Sequence, residues 1–197
     1  MTHESLQIIR DEHAALAAML RSLTMMVERG PGDDPQAFFD VLRAMLFYID
    51  EFPEKQHHPK EGALLFPPIA ARDPAMAATI ATLDAQHVRT EGWVRELQHL
   101  LLAWEWLGDS RRGAFERAAR DYVKYYLEHM RLEEVEVLPS AERHLSEDDW
   151  NALDEAFAQN RDPLTGKYPA DPAFDRLFTR IVMKAPAPIG LGPSATV

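Results

Sequence analysis

Six residues of types that suit a cation recur in a fixed order along the chain: His13, then His57 and Glu61, then His87, then His129 and Glu133. Within each His–Glu pair the step is four residues, which on a helix puts both side chains on one face, a turn apart. His13, His87 and His129 each fall in phase with apolar neighbours. A single histidine on such a stripe is satisfied by one hydrogen bond and means little. Glu133 is in phase as well, and a buried carboxylate without a partner costs several kcal/mol. Imidazoles and carboxylates aimed into one interior make physical sense if cations sit among them. The spacing also repeats. His13 to His87 is 74 residues, while His57 to His129, Glu61 to Glu133 and Pro67 to Pro139 are each 72. That is an internal repeat of a helical hairpin, and independent structural histidines have no reason to keep those intervals.

Four imidazoles and two carboxylates suit a pair of transition-metal ions. Imidazole matches Fe, Zn or Cu, and carboxylates bridge two ions. Two imidazoles per ion plus two bridging carboxylates leave six-coordinate iron with positions for an oxo, hydroxo or small-molecule ligand. Zinc fits the donors, but an open, redox-inert pair in a helical core has no obvious use.

The elements that must position these groups read as four long helices. In the first, Leu6, Ile9, His13, Leu16, Leu20, Leu23 and Val27 step by three and four until the glycines and prolines of Gly30–Pro35 stop the pattern. The second carries Phe38, Leu42, Met45, Ile49 and Phe52 and runs to about Ala70. Asp73-Pro74 opens the third, on Met76, Ile80, Leu83, His87, Val94, Leu97, Leu101 and Trp104, and Gly108-Asp109-Ser110 breaks it. The fourth carries Phe115, Tyr122, Tyr126, His129, Glu133 and Val137 and ends near Pro139. The expected fold is all-α, an up-down-up-down four-helix bundle over residues 1–142. Residues 143–197 read as a C-terminal extension. It holds a short helix capped by Ser146, a turn-rich stretch, a second short helix through Phe174, Leu177, Phe178 and Ile181, and an extended Pro/Gly tail from Ala185.

The second helix has a fault in its phase. Its stripe points Gln56 inward, whereas the ligand pattern needs His57. One residue has been gained after Phe52, where Pro53 lies, and Pro59 removes a further helical hydrogen bond. A bend or π-bulge between Phe52 and Lys60 is therefore expected. His58, three residues before Glu61, is the rival ligand, and symmetry with His129 favours His57. Glu12, Gln86 and Glu128 each precede a ligand histidine and are expected to point elsewhere, and Glu134 is turned about 100° from Glu133. His99 is out of phase and expected to be exposed. Leu16, Leu20, Leu83 and Val94 would supply a dry apolar shell. Trp93, Trp104 and Trp106 read as packing, as do Tyr122 and Tyr126 unless one of them bonds a ligand.

Composition sets limits. The 197 residues, 46% apolar and 27% charged, suit one globular domain with an appendage. Absent cysteine excludes disulfides, thiolate-held iron–sulfur clusters, cysteine-ligated zinc and thiol catalysis. A net charge of −11 without a basic run argues against nucleic acid as a partner. The N-terminus lacks the apolar core of a secretory signal, and the longest apolar stretch, near Leu100–Leu107, is interrupted by Glu105 and too short to cross a membrane. The reading is a soluble, cytoplasmic protein with no membrane partner.

The pattern His…His-x-x-x-Glu…His…His-x-x-x-Glu, with Leu-Phe-Pro and Val-Leu-Pro endings, resembles the hemerythrin family, specifically bacterial HHE cation-binding domains, over about residues 5–140. The resemblance implies a non-haem di-iron site of two Fe ions with a bridging oxo or hydroxo group. It implies His13, His57, His87 and His129 as terminal ligands and Glu61 and Glu133 as bridges. It also implies a small-molecule oxidant (O2, NO or peroxide) or iron handling. Oxygen-carrying hemerythrins place a second histidine one turn after the third-helix ligand. Here that position is Glu91, and its first-helix counterpart is Ala17. On that reading the fifth histidine is missing, and Glu91 is either a further ligand or a solvated helix residue. A site open at both metals favours redox turnover or sensing over reversible O2 carriage. An O2- or peroxide-reducing enzyme and a non-enzymatic iron sensor, store or donor both remain, with the C-terminal extension as a homodimer contact or docking element.

Overall fold

The computed structural model describes residues 3–165, 174–185 and 190–191, with Asp175 and Phe178 by backbone alone. Every regular element among the described residues is helical. Helix α1 (Glu4–Arg29) ends at Gly30, whose φ of 71° lies in the left-handed region that glycine reaches without strain. Helix α2 is a continuous helical run over residues 35–72. It opens with Pro35 in its first turn and the Asp34 carboxylate accepting from the Ala37 N–H. Helix α3 (Ala77–Leu107) follows a 3-10 turn at Pro74–Met76 and ends at Gly108, φ 81°. Helix α4 runs over residues 112–144. Helix α5 (Glu147–Phe157) starts from a reciprocal Ser146–Asp149 capping box, and α6 spans Asp175–Lys184.

The backbone of α2 widens into π-helical turns at Asp50–His57 and again at Glu61–Leu65, and α4 widens at Glu133–Val137. The first lies where the phase fault predicts it. The His58 N–H reaches back five residues to the Pro53 carbonyl. The other two were not anticipated, and each stands just before a proline, Pro67 or Pro139. A proline ring crowds the carbonyl four residues back and offers no N–H. The turn behind it relaxes to five-residue bonds, Phe66 N–H to Glu61 and Leu138 N–H to Glu133. Because the wider turn absorbs the proline, α4 continues to His144 instead of ending near Pro139.

Two apolar clusters lie on either side of the polar residues. The larger includes Leu20, Leu23, Leu42, Leu101, Trp104 and Phe115, and Ile181 of α6 joins it. The smaller includes Leu6, Ile9, Phe66, Leu83 and Leu138, with Trp150, Leu153 and Phe157 of α5 packed into it. Each fully buried side chain of this size contributes about 1.5–3 kcal/mol, enough in sum to hold costly polar groups between the clusters. Trp106 departs from the packing reading: it is 77% exposed at the end of α3, beside exposed Leu107. Much of the turn-rich stretch and nearly all of the Pro/Gly tail lie outside the described residues. No helix among the described residues is long and apolar enough to cross a membrane.

Candidate metal centre

The π turns decide which side chains reach the interior. On a regular α-helix, adjacent residues point about 100° apart, so only one of two neighbouring histidines would face inward. The wide turn at Asp50–His57 brings both His57 and His58 in, each 5% exposed. His58 stacks on His87 with ring centroids 3.9 Å apart, while His57 faces His13 at 5.1 Å. Five imidazoles thus gather in the interior, and His58 of α2 is one of them.

The donors gather in two poles. Ring nitrogens of His58, His87 and His129 all lie within 4.8 Å of one another, and the same bound holds for His13, His57 and Glu61. Glu61, His87 and Glu133 form a third such group between them. Glu61 places Oε1 3.1 Å from His57 Nε2 and Oε2 3.6 Å from His87 Nε2. Glu133 places Oε2 3.3 Å from His13 Nε2 and Oε1 3.1 Å from His129 Nε2. Each carboxylate therefore offers one oxygen to each pole. All four of these oxygens and His57 Nε2 are buried without a hydrogen-bond partner. Leaving such groups unpaired is expensive, and cations between the poles would satisfy them together. Buried imidazoles and carboxylates in this mix are donors that transition metals such as iron accept.

A surrounding set of oxygens orients the rings. Nδ1 of His57 lies 2.7 Å from Glu12 Oε2, that of His58 3.1 Å from Glu54 Oε2, that of His13 3.1 Å from Glu134 Oε1, and that of His129 2.8 Å from Gln86 Oε1. A ring whose Nδ1–H donates outward keeps its Nε2 lone pair aimed inward. Glu12 and Gln86 thus overturn the expectation that they point elsewhere. Each is turned away from the site on its own helix, and that turn aims it at the histidine of the next helix. Glu128 does point away, paired with Arg131. Glu91 stands outside these donor groups, and its exposed side chain bonds Arg95 at 2.6 Å. The inward position a turn after His87 belongs to Thr90, whose hydroxyl donates to Glu54 at 3.1 Å.

The electrostatics of the poles differ. Burial drives His58 well below the usual histidine range, and His87, His129 and His57 push the same way. Burial also pulls on His13, but the neighbouring Glu133 and Glu134 carboxylates outweigh it and raise that ring to about 9. His57 is raised as well, against burial, by Glu61 and Glu12. Glu133 resists the upward pull of burial because His129, His13 and His87 hold it well below the carboxylate range. Glu54 yields to burial and is pushed up to about 8.

A cavity of about 20 Å³, room for about one water-sized molecule, lies beside these groups. Leu16, Phe52, Tyr126 and Met130 line it with His13 and His57. The Tyr126 hydroxyl is 2.8 Å from His58 Nε2, and the Tyr122 hydroxyl donates to Glu54 Oε1 at 3.3 Å. The segment after α5 also arrives here. Asn160 donates to Glu12 at 3.0 Å and accepts from Lys60, while Asp162 reaches the cavity wall and accepts from the Tyr48 hydroxyl at 2.7 Å. Nothing periodic marks Asn160 or Asp162, so sequence reasoning had no signal for them.

A model of the family described as "Hemerythrin HHE cation binding domain" matches residues 4–141. A search of curated proteins found no match.

Proposed function

The chain belongs to the hemerythrin HHE cation-binding family, and from that premise we propose that it holds two iron ions and uses them to bind, sense or reduce a small oxidant, O2, NO or peroxide. His58, His87 and His129 would hold one ion and His13 and His57 the other, with Glu61 and Glu133 reaching both. The up-down-up-down order of the four long helices is part of this reading. The observation that carries it is the convergence of four buried, unpartnered carboxylate oxygens on imidazole nitrogens. Bound there, iron would supply redox electrons and an open position for the oxidant.

The chain's own residues do the rest. Glu12, Gln86, Glu54 and Glu134 fix the ring orientations. Leu16, Phe52 and Met130 form the apolar part of a cavity whose size suits one small molecule, and Glu12, Gln56, Asp162 and the histidines supply the rest of its lining. The small ligand belongs beside His13 and His57, where two imidazoles stand against three at the other pole. Tyr126 holds a hydroxyl proton at the cavity wall.

The test is metal analysis of the purified protein after anaerobic iron loading, with optical spectra before and after O2 and peroxide. Two irons per chain with a reversible spectral change support binding or sensing, and rapid loss of peroxide supports turnover. A chain that takes up no iron removes the proposal.

A further inference from the structure

Beyond the ligands, one line of side chains runs from the centre to the surface, and every ring in it can be oxidised. The Tyr126 ring lies 5.6 Å from those of both His58 and His129. Tyr122 follows at 5.4 Å, then Trp93 at 5.7 Å edge-on, then Tyr125 at 5.5 Å. Tyr122 and Tyr126 are fully buried, whereas Trp93 and Tyr125 are half-buried at the α3–α4 surface. Aromatic pairs at such distances are in contact, so an electron meets no wider gap along the way.

Packing alone does not ask for this composition. At the far end of the bundle the aromatic cluster sets Phe38, Phe39 and Phe115 around Trp104 and buries no hydroxyl. Tyr122 and Tyr126 bury theirs, at a desolvation cost, and the Tyr122 hydroxyl donates to Glu54 Oε1 at 3.3 Å. At the outer end the Arg89 guanidinium lies 4.8 Å from the Trp93 ring and 4.9 Å from that of Tyr125. A cation over an aromatic face favours the neutral ring and disfavours positive charge on it, so an oxidised Trp93 is driven to release its indole proton.

We propose that Tyr126, Tyr122 and Trp93 form a one-electron conduit that carries oxidising equivalents from the metal centre to the surface at Trp93 and Tyr125. It rests on the reading of the centre as one that meets an oxidant. Tyr122 gives one electron inward through the Tyr126 ring, and its phenolic proton moves along the hydrogen bond to Glu54 Oε1, which takes it in its ionised form. Trp93 returns one electron to Tyr122 as Glu54 returns the proton, and the indole N–H proton goes to water. An external one-electron reductant then restores Trp93 with one electron, water returning the proton. The conduit thus either delivers reducing equivalents for turnover or discharges an oxidant that would otherwise attack the ligands.

Two measurements test it, and the first needs no metal. The chain has no cysteine, and a Cβ at exposed Gly92 meets nothing within 4 Å, so Gly92→Cys takes a single ruthenium photo-oxidant beside Trp93. In the metal-free protein a flash should form the tryptophan radical, which decays as tyrosyl absorption grows. Tyr122→Phe keeps the ring and the packing but removes the oxidisable hydroxyl, and it should lengthen the tryptophan-radical lifetime several-fold. An unchanged lifetime in Tyr122→Phe overturns the conduit, whatever the metal reading, because Tyr125 stays beside Trp93 in both proteins. In the iron-loaded protein, peroxide without reductant should oxidise Trp93, read by peptide mass spectrometry, and Trp93→Phe should move the damage inward to Tyr122 and Tyr126. Damage confined to the ligand histidines and Met130, equal in both proteins, also overturns it.

Discussion

At one pole of the centre three imidazoles, His58, His87 and His129, gather around a shared space; at the other His13 and His57 stand beside Met130. The repeat makes the contrast readable. His13 and His57 correspond to His87 and His129, and Glu12, which orients His57, corresponds to Gln86, which orients His129. The residue 72 after His58 is Met130, and the residue 72 after Glu54 is Tyr126. Glu134, which touches His13, corresponds to Gly62, which has no side chain to offer His87. The two halves are therefore similar, and a few differing positions leave one pole crowded with nitrogen and the other acidic and less full. A centre with unequal poles can hold one ion firmly while the second keeps room for a ligand.

The largest test of that contrast removes what the poles share. Glu61→Ala and Glu133→Ala should each abolish binding at both poles, seen as loss of iron by elemental analysis; retention of a full complement would mean that the carboxylates do not bridge. Next comes one pole at a time. His58→Ala should cost the ion at the three-imidazole pole, and His13→Ala the other, each leaving about half the iron. If either change strips everything, the poles are not separable. Weaker effects belong to the orienting groups. Glu12→Ala and Gln86→Ala should lower iron affinity by about 10–100-fold, the first at the His57 pole and the second at the His129 pole, in metal titrations with spectral readout.

Asp162, on the cavity wall, gives a pH signature. Burial pushes its carboxyl up to about 6, against the opposing hydrogen bonds from Tyr48 and the Leu164 N–H. Its folded value lies above its unfolded one, so ionised Asp162 costs stability above about pH 6. That cost fades as pH falls through 6 toward the ordinary carboxylate range. Asp162→Asn should therefore raise stability most at pH 7 or above, by up to about 3 kcal/mol, and the gain over wild type should shrink by pH 5 in denaturant titrations. A constant difference would refute this. Smallest of all, Glu91→Ala should change neither iron content nor spectrum, since its side chain faces solvent beside Arg95.

Much of the centre was legible because helical phase and an internal repeat are local properties. His13, His87, His129 and Glu133 announce themselves by falling on apolar stripes, and Glu61 by its step from His57. Even the bulge in α2 showed as a lost phase after Phe52. Its consequence did not show: a count along one helix yields one inward residue per turn, while the widened turn admits His57 and His58 together. The contacts of Glu12 and Gln86 escape helical phase for a related reason. Phase tells where a side chain points on its own helix, and their partners lie on another. One signal was available, since the two are 74 residues apart like the histidines that follow them.

The sequence alone determined the helices, the repeat and the donor types, since these follow from which residues recur every three or four positions and from what imidazole and carboxylate can bind. Only the tertiary structure decided how the donors divide between two poles, that Glu91 faces water, and that Asn160 and Asp162 close over the site from beyond α5. Those outcomes depend on how far each backbone turn is wound and on which neighbouring helix a side chain meets, and both are set by packing between segments far apart along the chain.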